Sequence, residues 1–166
     1  MTTMKEILIQ LAAYNSWANQ KLIICILALP EEKWQQTIPS SFDSFEKTLL
    51  HMWDAESNWW QRLKLQENII PPSANFKGSI RELTSALQHQ NKLWETWIGN
   101  ASPAALEHVF MYQNSKREPF KMQVVQMLIH VFNHGTYHRG QLVTMLRQIG
   151  IDKIPMTDFA NWVRKK

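Results

Sequence analysis

The first thirty residues carry a repeating pattern that restricts the chain to helices packed side by side. Its positions alternate between steps of four and three residues: Met4, Leu8, Leu11, Asn15, Ala18, Leu22, Cys25 and Leu29. This spacing places one stripe on a helix and is typical of a helix in a bundle. Thr3 and Glu6 have the spacing of a capping box and Pro30 ends the pattern, so we predict a helix from Met4 to about Leu29. Asn15 is the one polar member of the stripe.

Three further long segments have helical spacing. We predict helices from about Ser44 to Gln66, from the capping box at Ser79 to about Ile98, and from about Met122 to Gln148, ending at Gly150. Shorter helices are predicted after Ser102-Pro103 and after Thr157-Asp158, and Pro71-Pro72 enforces a long crossover between the second and third long helices. The segment 109–120 is compatible with a small hairpin or with an irregular loop.

These elements predict an all-α fold: one domain over residues 1–166, built as a four-helix bundle with a long crossover connection and a short C-terminal helix. A hydrophobic content of 45% in 166 residues suits a globular chain of this size. The single cysteine, Cys25, lies in the apolar stripe, excludes an internal disulfide, and is not expected to be a catalytic thiol.

Charge and hydropathy indicate a protein that binds neither nucleic acid nor membrane. The 18 basic residues are scattered among 14 acidic ones, and the only basic cluster is the terminal Arg164-Lys165-Lys166. No stretch approaches the roughly 20 apolar residues of a membrane span, and no signal peptide is apparent. We therefore expect a cytoplasmic location.

Histidines at four-residue spacing on the last long helix indicate a metal site. His134 and His138 lie towards the inward face of that helix, whereas His130 lies farther round and is assigned as a second-shell or interface residue. Since an i, i+4 pair needs a third ligand, His51 on the second helix is the best candidate. The alternative is that these histidines are core residues that pair with Tyr14, Asn15 or Gln141. His89 and His108 are expected on the surface.

Other side chains near these histidines are candidates for supporting roles. Asp54 is a candidate proton acceptor, although an exposed carboxylate paired with Arg62 or Lys47 is the favoured interpretation. Arg139 is placed either to anchor a substrate carboxylate or to form an ion pair inside the bundle. Asn15 and Trp17 are candidate pocket residues. Gly135 and Gly140 suit close helix packing.

Three motifs resemble those of the DinB (DinB/YfiT-like) family of helical bundle proteins. They are Tyr14-Asn-Ser-Trp-Ala-Asn19, Ser41-Phe-Asp-Ser-Phe-Glu-Lys-Thr-Leu-Leu-His51 and Asn133-His-Gly-Thr-Tyr-His-Arg-Gly-Gln141. The resemblance extends over all four long helices to Pro155-Met-Thr-Asp-Phe159. It implies that the family's metal-binding triad corresponds to His51, His134 and His138.

The resemblance also implies a function. The family is similar to enzymes that transfer low-molecular-weight thiols, and its members are commonly homodimers. Three imidazoles leave coordination positions open, as in catalytic metal sites. We therefore expect a divalent transition metal, zinc or nickel, a small-molecule substrate and a low-molecular-weight thiol cofactor. The alternative is a non-catalytic metal-binding bundle with a structural or sensing role in the stress response. The catalytic residues themselves are not identified.

Overall fold

The computed structural model describes residues 2–114 and 116–164, which form six α-helices and two strands. In chain order these are α1 (Met4–Leu27), α2 (Phe45–Leu63), α3 (Ile80–Asn100), α4 (Pro103–Glu107), β1 (Val109–Gln113), β2 (Pro119–Gln123), α5 (Val124–Gln148) and α6 (Phe159–Val163). Short 3-10 turns lie at Glu31–Lys33 and Pro72–Ala74. Within these residues no helix is both long and apolar enough to cross a lipid bilayer.

The predicted capping signals start the helices. The capping boxes at Thr3 and Ser79 are both formed, and the Ser44 side chain accepts the backbone N–H of Lys47 at the start of α2. Gly150 follows α5 with a φ of +82°, a conformation that glycine adopts without steric cost. Capping hydrogen bonds satisfy backbone donors that the helix itself leaves unpaired, which is why these residues fix the helix starts.

The prediction of an all-α fold is wrong in one segment. Residues 109–120 were expected to form a hairpin or a loop, and β1 and β2 form an antiparallel hairpin with Val109 opposite Gln123 and Gln113 opposite Pro119. Its aromatic and β-branched residues suit a strand, and Phe110 is buried. Because β2 continues to Gln123, α5 begins at Val124 rather than at Met122. The fold is therefore mainly helical with one small sheet.

The four long helices pack so that α1 contacts α3 and α5, and α2 contacts the same two helices. Two apolar clusters fill the interior, one at each end. Cluster 1 includes Leu22, Ile26, Phe45, Leu49, Leu83, Leu87, Leu142 and Met145. Cluster 2 includes Leu8, Ala12, Trp59, Trp94, Ile98, Met127, Val131 and Phe132.

The order in which each helix passes through the clusters gives its direction. α2 and α3 both run from cluster 1 to cluster 2, whereas α1 and α5 run the other way. The connection 64–79 must therefore return along the length of α2. Hydrogen bonds hold it there: Ile70 N–H donates to Gln61 Oε1, and Ser73 N–H donates to Asp54 Oδ1.

Candidate metal centre

The structure brings the three predicted ligands together where α2 faces α5. The Nε2 atom of His134 lies 3.3 Å from Nε2 of His51 and 3.1 Å from Nε2 of His138. One ring nitrogen from each of the three histidines falls within 4.8 Å of the others. The two α5 residues are one helical turn apart, so their side chains project from the same side of that helix.

These distances fit a metal ion held by three imidazoles. Zinc–nitrogen bonds of about 2.0–2.1 Å in tetrahedral geometry place ligand nitrogens roughly 3.3 Å apart. The two nitrogen–nitrogen distances at His134 are within a few tenths of an ångström of that value. Imidazole nitrogen is a common ligand for zinc, nickel, copper and iron. The residues present therefore fit a divalent transition metal with at least one coordination position open.

A hydrogen-bonded pair outside the triad fixes the orientation of one ligand. The Nε2 group of Gln141 donates to Ser41 Oγ at 2.9 Å, which turns its Oε1 towards His138 Nδ1 at 2.7 Å. A carbonyl oxygen only accepts, so Nδ1 of His138 must carry the proton and Nε2 is left free to bind a metal. Gln141 was predicted as a hydrogen-bond partner of the histidines in place of a metal, but it occupies the opposite edge of the ring.

An aromatic residue that sequence reasoning missed covers the site. The ring of Phe42 stacks on His51 with centroids 4.1 Å apart and an interplanar angle of 22°, and its centroid lies 5.8 Å from that of His138. Phe42 lies in the loop before α2, so helical periodicity gave no indication that it faces the histidines. Its ring covers one face of the His51 imidazole.

Burial keeps all three imidazoles neutral. The pKa of His134 is lowered to about 4, mainly by desolvation and further by the neighbouring histidines His138, His51 and His130. Desolvation also lowers the pKa of His51, against the opposing effect of the Asp54 carboxylate, and that of His138, against its hydrogen bond to Gln141. Neutral imidazole is the form that binds a metal, so no proton needs to leave these ligands near neutral pH.

The other predicted site residues lie at different distances from the triad. His130 is exposed, and its ring centroid lies 6.1 Å from that of His134 and 5.3 Å from that of Trp59. His89 and His108 are also exposed, as predicted. Trp17 packs with Tyr14 in a separate cluster with the C-terminal helix.

The prediction that Asp54 forms an ion pair with Arg62 or Lys47 is wrong. Lys47 pairs with Asp43 at 2.7 Å, and the guanidinium of Arg62 stacks on the Trp59 ring at 4.5 Å. Asp54 instead accepts the backbone N–H of Ser73 and thereby holds the crossover connection beside α2. Its second oxygen is not engaged by any hydrogen bond of the described residues, and its charge acts on His51.

A closed ring of buried polar side chains lies between the two apolar clusters and joins all four long helices. One Nη1 group of Arg139 donates to Asn15 Oδ1 at 2.6 Å and to Asn19 Oδ1 at 2.9 Å. Asn15 Nδ2 donates to Glu56 Oε1 at 3.0 Å, Asn19 Nδ2 to Asn91 Oδ1 at 3.1 Å, and Asn91 Nδ2 to Glu56 Oε2 at 2.7 Å. We call these five residues the polar ring.

The hydrogen bonds of the polar ring all lead from Arg139 as donor to Glu56 as acceptor. Arg139 only donates, the Glu56 carboxylate only accepts, and the three asparagines relay donors from one to the other. The pKa of Glu56 is raised to about 7, because desolvation by burial outweighs the hydrogen bonds from Asn15 and Asn91 and the charge of Arg139, which lower it. Arg139 is thus committed to the helix assembly, and of its two predicted roles the structure shows the internal one, through asparagines rather than a direct ion pair.

The polar ring explains why residue 135 is a glycine. A Cβ atom at Gly135 would lie 2.6 Å from Asn15 Oδ1 and 3.1 Å from Arg139 Nη1, so the ring passes directly over this position. The predicted close approach at Gly135 is confirmed. Gly140 is different, since a Cβ there would have no neighbour within 4 Å, and the expectation of tight packing at that position is wrong.

Most of the polar ring was missed in the sequence, although a signal was present. Asn15 stood out as a polar residue in an apolar stripe. Glu56 follows Met52, and Asn91 follows Leu87, by one helical turn on a buried face. A polar residue at a core position on each of four helices indicates a shared buried network, because unpaired polar groups are costly to bury.

Comparison with known proteins agrees with this geometry. The family model described as the DinB family matches residues 1–164. The chain belongs to the DinB family. It is also similar to Protein DinB of Bacillus subtilis (strain 168), with 30% identity over 163 residues that cover 94% of this chain and 93% of that protein. The predicted family is thereby confirmed, and the histidine triad falls within the matched region.

Proposed function

We propose that this DinB family protein is a metal-dependent enzyme of the thiol-transferase type. In this proposal His51, His134 and His138 would hold one divalent transition metal, zinc or nickel. At the open side of the site a low-molecular-weight thiol gives up its S–H proton to a base, its sulfur forms a C–S bond to a small-molecule electrophile, and the leaving group departs from that carbon with the electron pair of the broken bond. The observation that carries the proposal is the convergence of three imidazole nitrogens at metal-ligand spacing. Three protein ligands with an open position are typical of catalytic rather than structural sites.

The surrounding residues prepare this site for chemistry. A metal held there would lower the pKa of a thiol or water placed in its open position. Gln141 and Ser41 keep His138 in the tautomer that presents Nε2, and Phe42 excludes water from the side of His51 on which it stacks. The Asp54 carboxylate is a candidate to take up the proton that a thiol loses, since its charge acts on His51.

Elemental analysis of the untagged protein tests metal binding. We expect roughly one metal ion per chain in the wild type and almost none in His138→Ala, because two remaining imidazoles make a weak site. His89→Ala is the matched control, since His89 is an exposed histidine on α3 outside the triad. Equal metal content in the two variants would refute the assignment of the ligands.

Turnover tests the enzymatic half of the proposal. The metal-loaded wild type should consume a low-molecular-weight thiol in the presence of an electrophile, and His138→Ala should not. If the metal-free variant retained full activity, the proposed chemistry would be wrong.

A second function is favoured by the position of the triad next to the polar ring. His138 and Arg139 are adjacent, so a metal would join α2 to α5 beside the network that holds all four helices. A metal that binds only the folded chain adds its binding free energy to folding. A purely structural or sensing protein would lose melting temperature on chelation and show no turnover with any thiol and electrophile pair.

A further inference from the structure

A cleft of about 970 Å³ opens beyond the C-terminal half of α2. It is bounded by Asn58 and Arg62 on α2, by the connection 65–70, and by residues 111–114 and Arg117 of the hairpin. This volume suits a small organic ligand. None of the three triad histidines lines it.

Arg62 is held in place at the wall of this cleft. Its guanidinium carbon lies 4.5 Å from the centre of the Trp59 ring and 5.5 Å from that of Tyr112, and those two rings pack edge to face at 5.0 Å. Aromatic faces attract a guanidinium and restrict its rotation. The charge is therefore preorganised before any ligand arrives, which lowers the entropic cost of binding.

The polar groups of the cleft are left with unused hydrogen-bonding capacity. Arg62 donates one long bond, from Nη2 to the backbone oxygen of Gln113 at 3.4 Å, and its buried Nε has no partner. The buried Oδ1 of Asn58, one helical turn earlier, also has none. Among the described residues, neither Arg62 nor Arg117 forms an ion pair with a carboxylate. Both atoms belong to residues that line the cleft, and the guanidinium charge of Arg62 is not balanced by a carboxylate of the described residues.

The backbone around the cleft is unusual as well. Leu65 and Arg117, at φ +54° and +62°, are the two non-glycine residues with positive φ in the part of the chain that the structure describes. Both line this cleft. Leu65 adopts this conformation in the hydrogen-bonded turn that ends α2, and Arg117 adopts it in the turn between β1 and β2, so these two turns form part of the cleft wall.

The charges of the cleft select the class of ligand. Its lining contains Arg62, Arg117 and one acidic residue, Glu67, which gives a net charge of +1 from two positive and one negative group. A guanidinium presents a planar pair of donors that matches a carboxylate. A single carboxylate balances the charge, whereas the nearly doubly charged phosphate monoester leaves an excess of negative charge.

Helix geometry connects this cleft to the triad. His51, Asn58 and Arg62 are separated by seven and four residues, and therefore lie on one face of α2. Eleven residues separate His51 from Arg62, or about 16 Å along the helix axis at about 1.5 Å per residue. Ala55, between them on the same face, is small and only half-buried, and His130 on the facing helix is exposed. His130 also packs against Trp59 with centroids 5.3 Å apart, so an extended molecule that reaches both sites would run along the outer face of α2, over Ala55 and Asn58.

We propose that the cleft around Arg62 binds the carboxylate of an extended small molecule whose thiol group lies at the histidine triad. The inference rests on the proposed function for the thiol end only. Arg62 and Asn58 hold the far end of the ligand and determine which thiols are accepted, while the triad holds the sulfur.

The test uses ω-mercaptoalkanoates and the matching ω-mercaptoalcohols as probes. The full-length protein, loaded with nickel, is titrated with each probe, and thiolate-to-metal charge-transfer absorption reports binding. Mercaptoundecanoate is expected to bind about tenfold more tightly than mercaptoundecanol, the factor that corresponds to about 1.4 kcal/mol. Mercaptobutanoate, which is too short to reach Arg62, should show little advantage over mercaptobutanol.

Substitution of the arginine should abolish this difference. In Arg62→Gln the long acid and the long alcohol are expected to bind equally, while the alcohol binds as it does to the wild type. Arg81→Gln is the matched control, because Arg81 also stacks on a tryptophan, Trp34 at 5.3 Å, but lies on α3 outside the cleft. If Arg62→Gln does not fold, Arg62→Lys retains the charge without the planar fork and should lose part of the preference.

The possible outcomes separate this inference from the proposed function. Equal binding of long acid and long alcohol to the wild type would overturn the cleft assignment and leave the metal chemistry intact. If no probe gives a charge-transfer band, calorimetric titration with undecanoate decides: Arg62-dependent binding supports the cleft while the thiol function fails, and no binding overturns both. Tighter binding of decyl phosphate than of undecanoate would overturn the choice of a carboxylate.

Discussion

The polar ring makes a quantitative prediction about the pH dependence of stability, which the substitution Glu56→Gln isolates. Glutamine keeps the size of the side chain and removes its titration. Burial raises the pKa of Glu56 from its ordinary value of 4.5 to about 7 in the folded chain. Between these values the folded protein retains a proton that the unfolded chain has lost. The associated stability is therefore fully present below pH 4.5 and is lost as the pH rises through about 7.

The size of the effect follows from the same two values. The shift from 4.5 to about 7 is about 2.5 pH units, and each unit corresponds to about 1.36 kcal/mol, so the change is about 3 kcal/mol. The three triad histidines act in the opposite direction. Their pKa values are lowered on folding, so they make the metal-free protein more stable as the pH rises towards 6.5. The wild type and Glu56→Gln both contain these histidines, so the difference between their free energies of unfolding reflects the titration of Glu56.

Urea unfolding at a series of pH values from about 4.5 to 8 measures this difference in chelator-treated protein. The free energy of unfolding of the wild type minus that of Glu56→Gln should fall by about 3 kcal/mol across the range, with most of the change below pH 7. Exposed Glu32 provides the control, and wild type minus Glu32→Gln should change little with pH. A difference for Glu56→Gln that stays constant or rises would show that the donors and the charge of Arg139 outweigh desolvation, and would refute the reasoning.

Three further predictions concern the helix that carries two of the ligands. Gly135→Ala should destabilise the protein by about 1–3 kcal/mol in urea unfolding, because its Cβ enters the polar ring. Gly140→Ala has open space around the new Cβ and should stabilise the protein by up to about 1 kcal/mol. Equal effects of the two substitutions would contradict the ring geometry. Gln141→Leu should weaken metal binding by about 10- to 100-fold in a chelator competition, because His138 loses the acceptor that fixes its tautomer; unchanged affinity would remove that role. Bound metal should be retained as the pH falls below 6.5, since protonation of His134 requires a pH near 4; loss of metal already at pH 6.5, measured by dialysis and elemental analysis, would argue against buried neutral ligands.

The sequence predicted the elements whose signals are local. The alternating stripe of α1, the capping boxes at Thr3 and Ser79, and the glycine after α5 depend on residues within a few turns of one another. The wheel of α5 also ordered its histidines as the structure does, with His138 4% exposed, His134 half-buried and His130 exposed. Periodicity reports which face of a helix is inward, and that information is sufficient for these positions.

The parts that were missed depend on contacts between distant segments. Phe42 reaches His51 from a loop without periodicity, and Asp54 caps a turn nineteen residues ahead rather than pairing with a charge on its own helix. The sequence does not distinguish a hairpin from an irregular loop at residues 109–120, because strand pairing needs a partner that a short segment does not specify. Arg139 has its partners more than a hundred residues away on α1, and no local rule names them.

The polar ring and the histidine triad lie at the same level of the helices, and we infer that the first sets the precision of the second. Apolar clusters tolerate small shifts of one helix along another, because many side-chain arrangements fill the same volume. The ring does not tolerate such a shift. If α2 moved by one turn, Glu56 would lose its hydrogen bonds from Asn15 and Asn91, and the charge of Arg139 would lose the electrostatic attraction of Glu56. The same shift would carry His51 about 5.4 Å away from the α5 ligands, well beyond metal-ligand spacing. Buried polar residues that restrict the packing to one register thus also hold three ligand nitrogens in place before a metal binds.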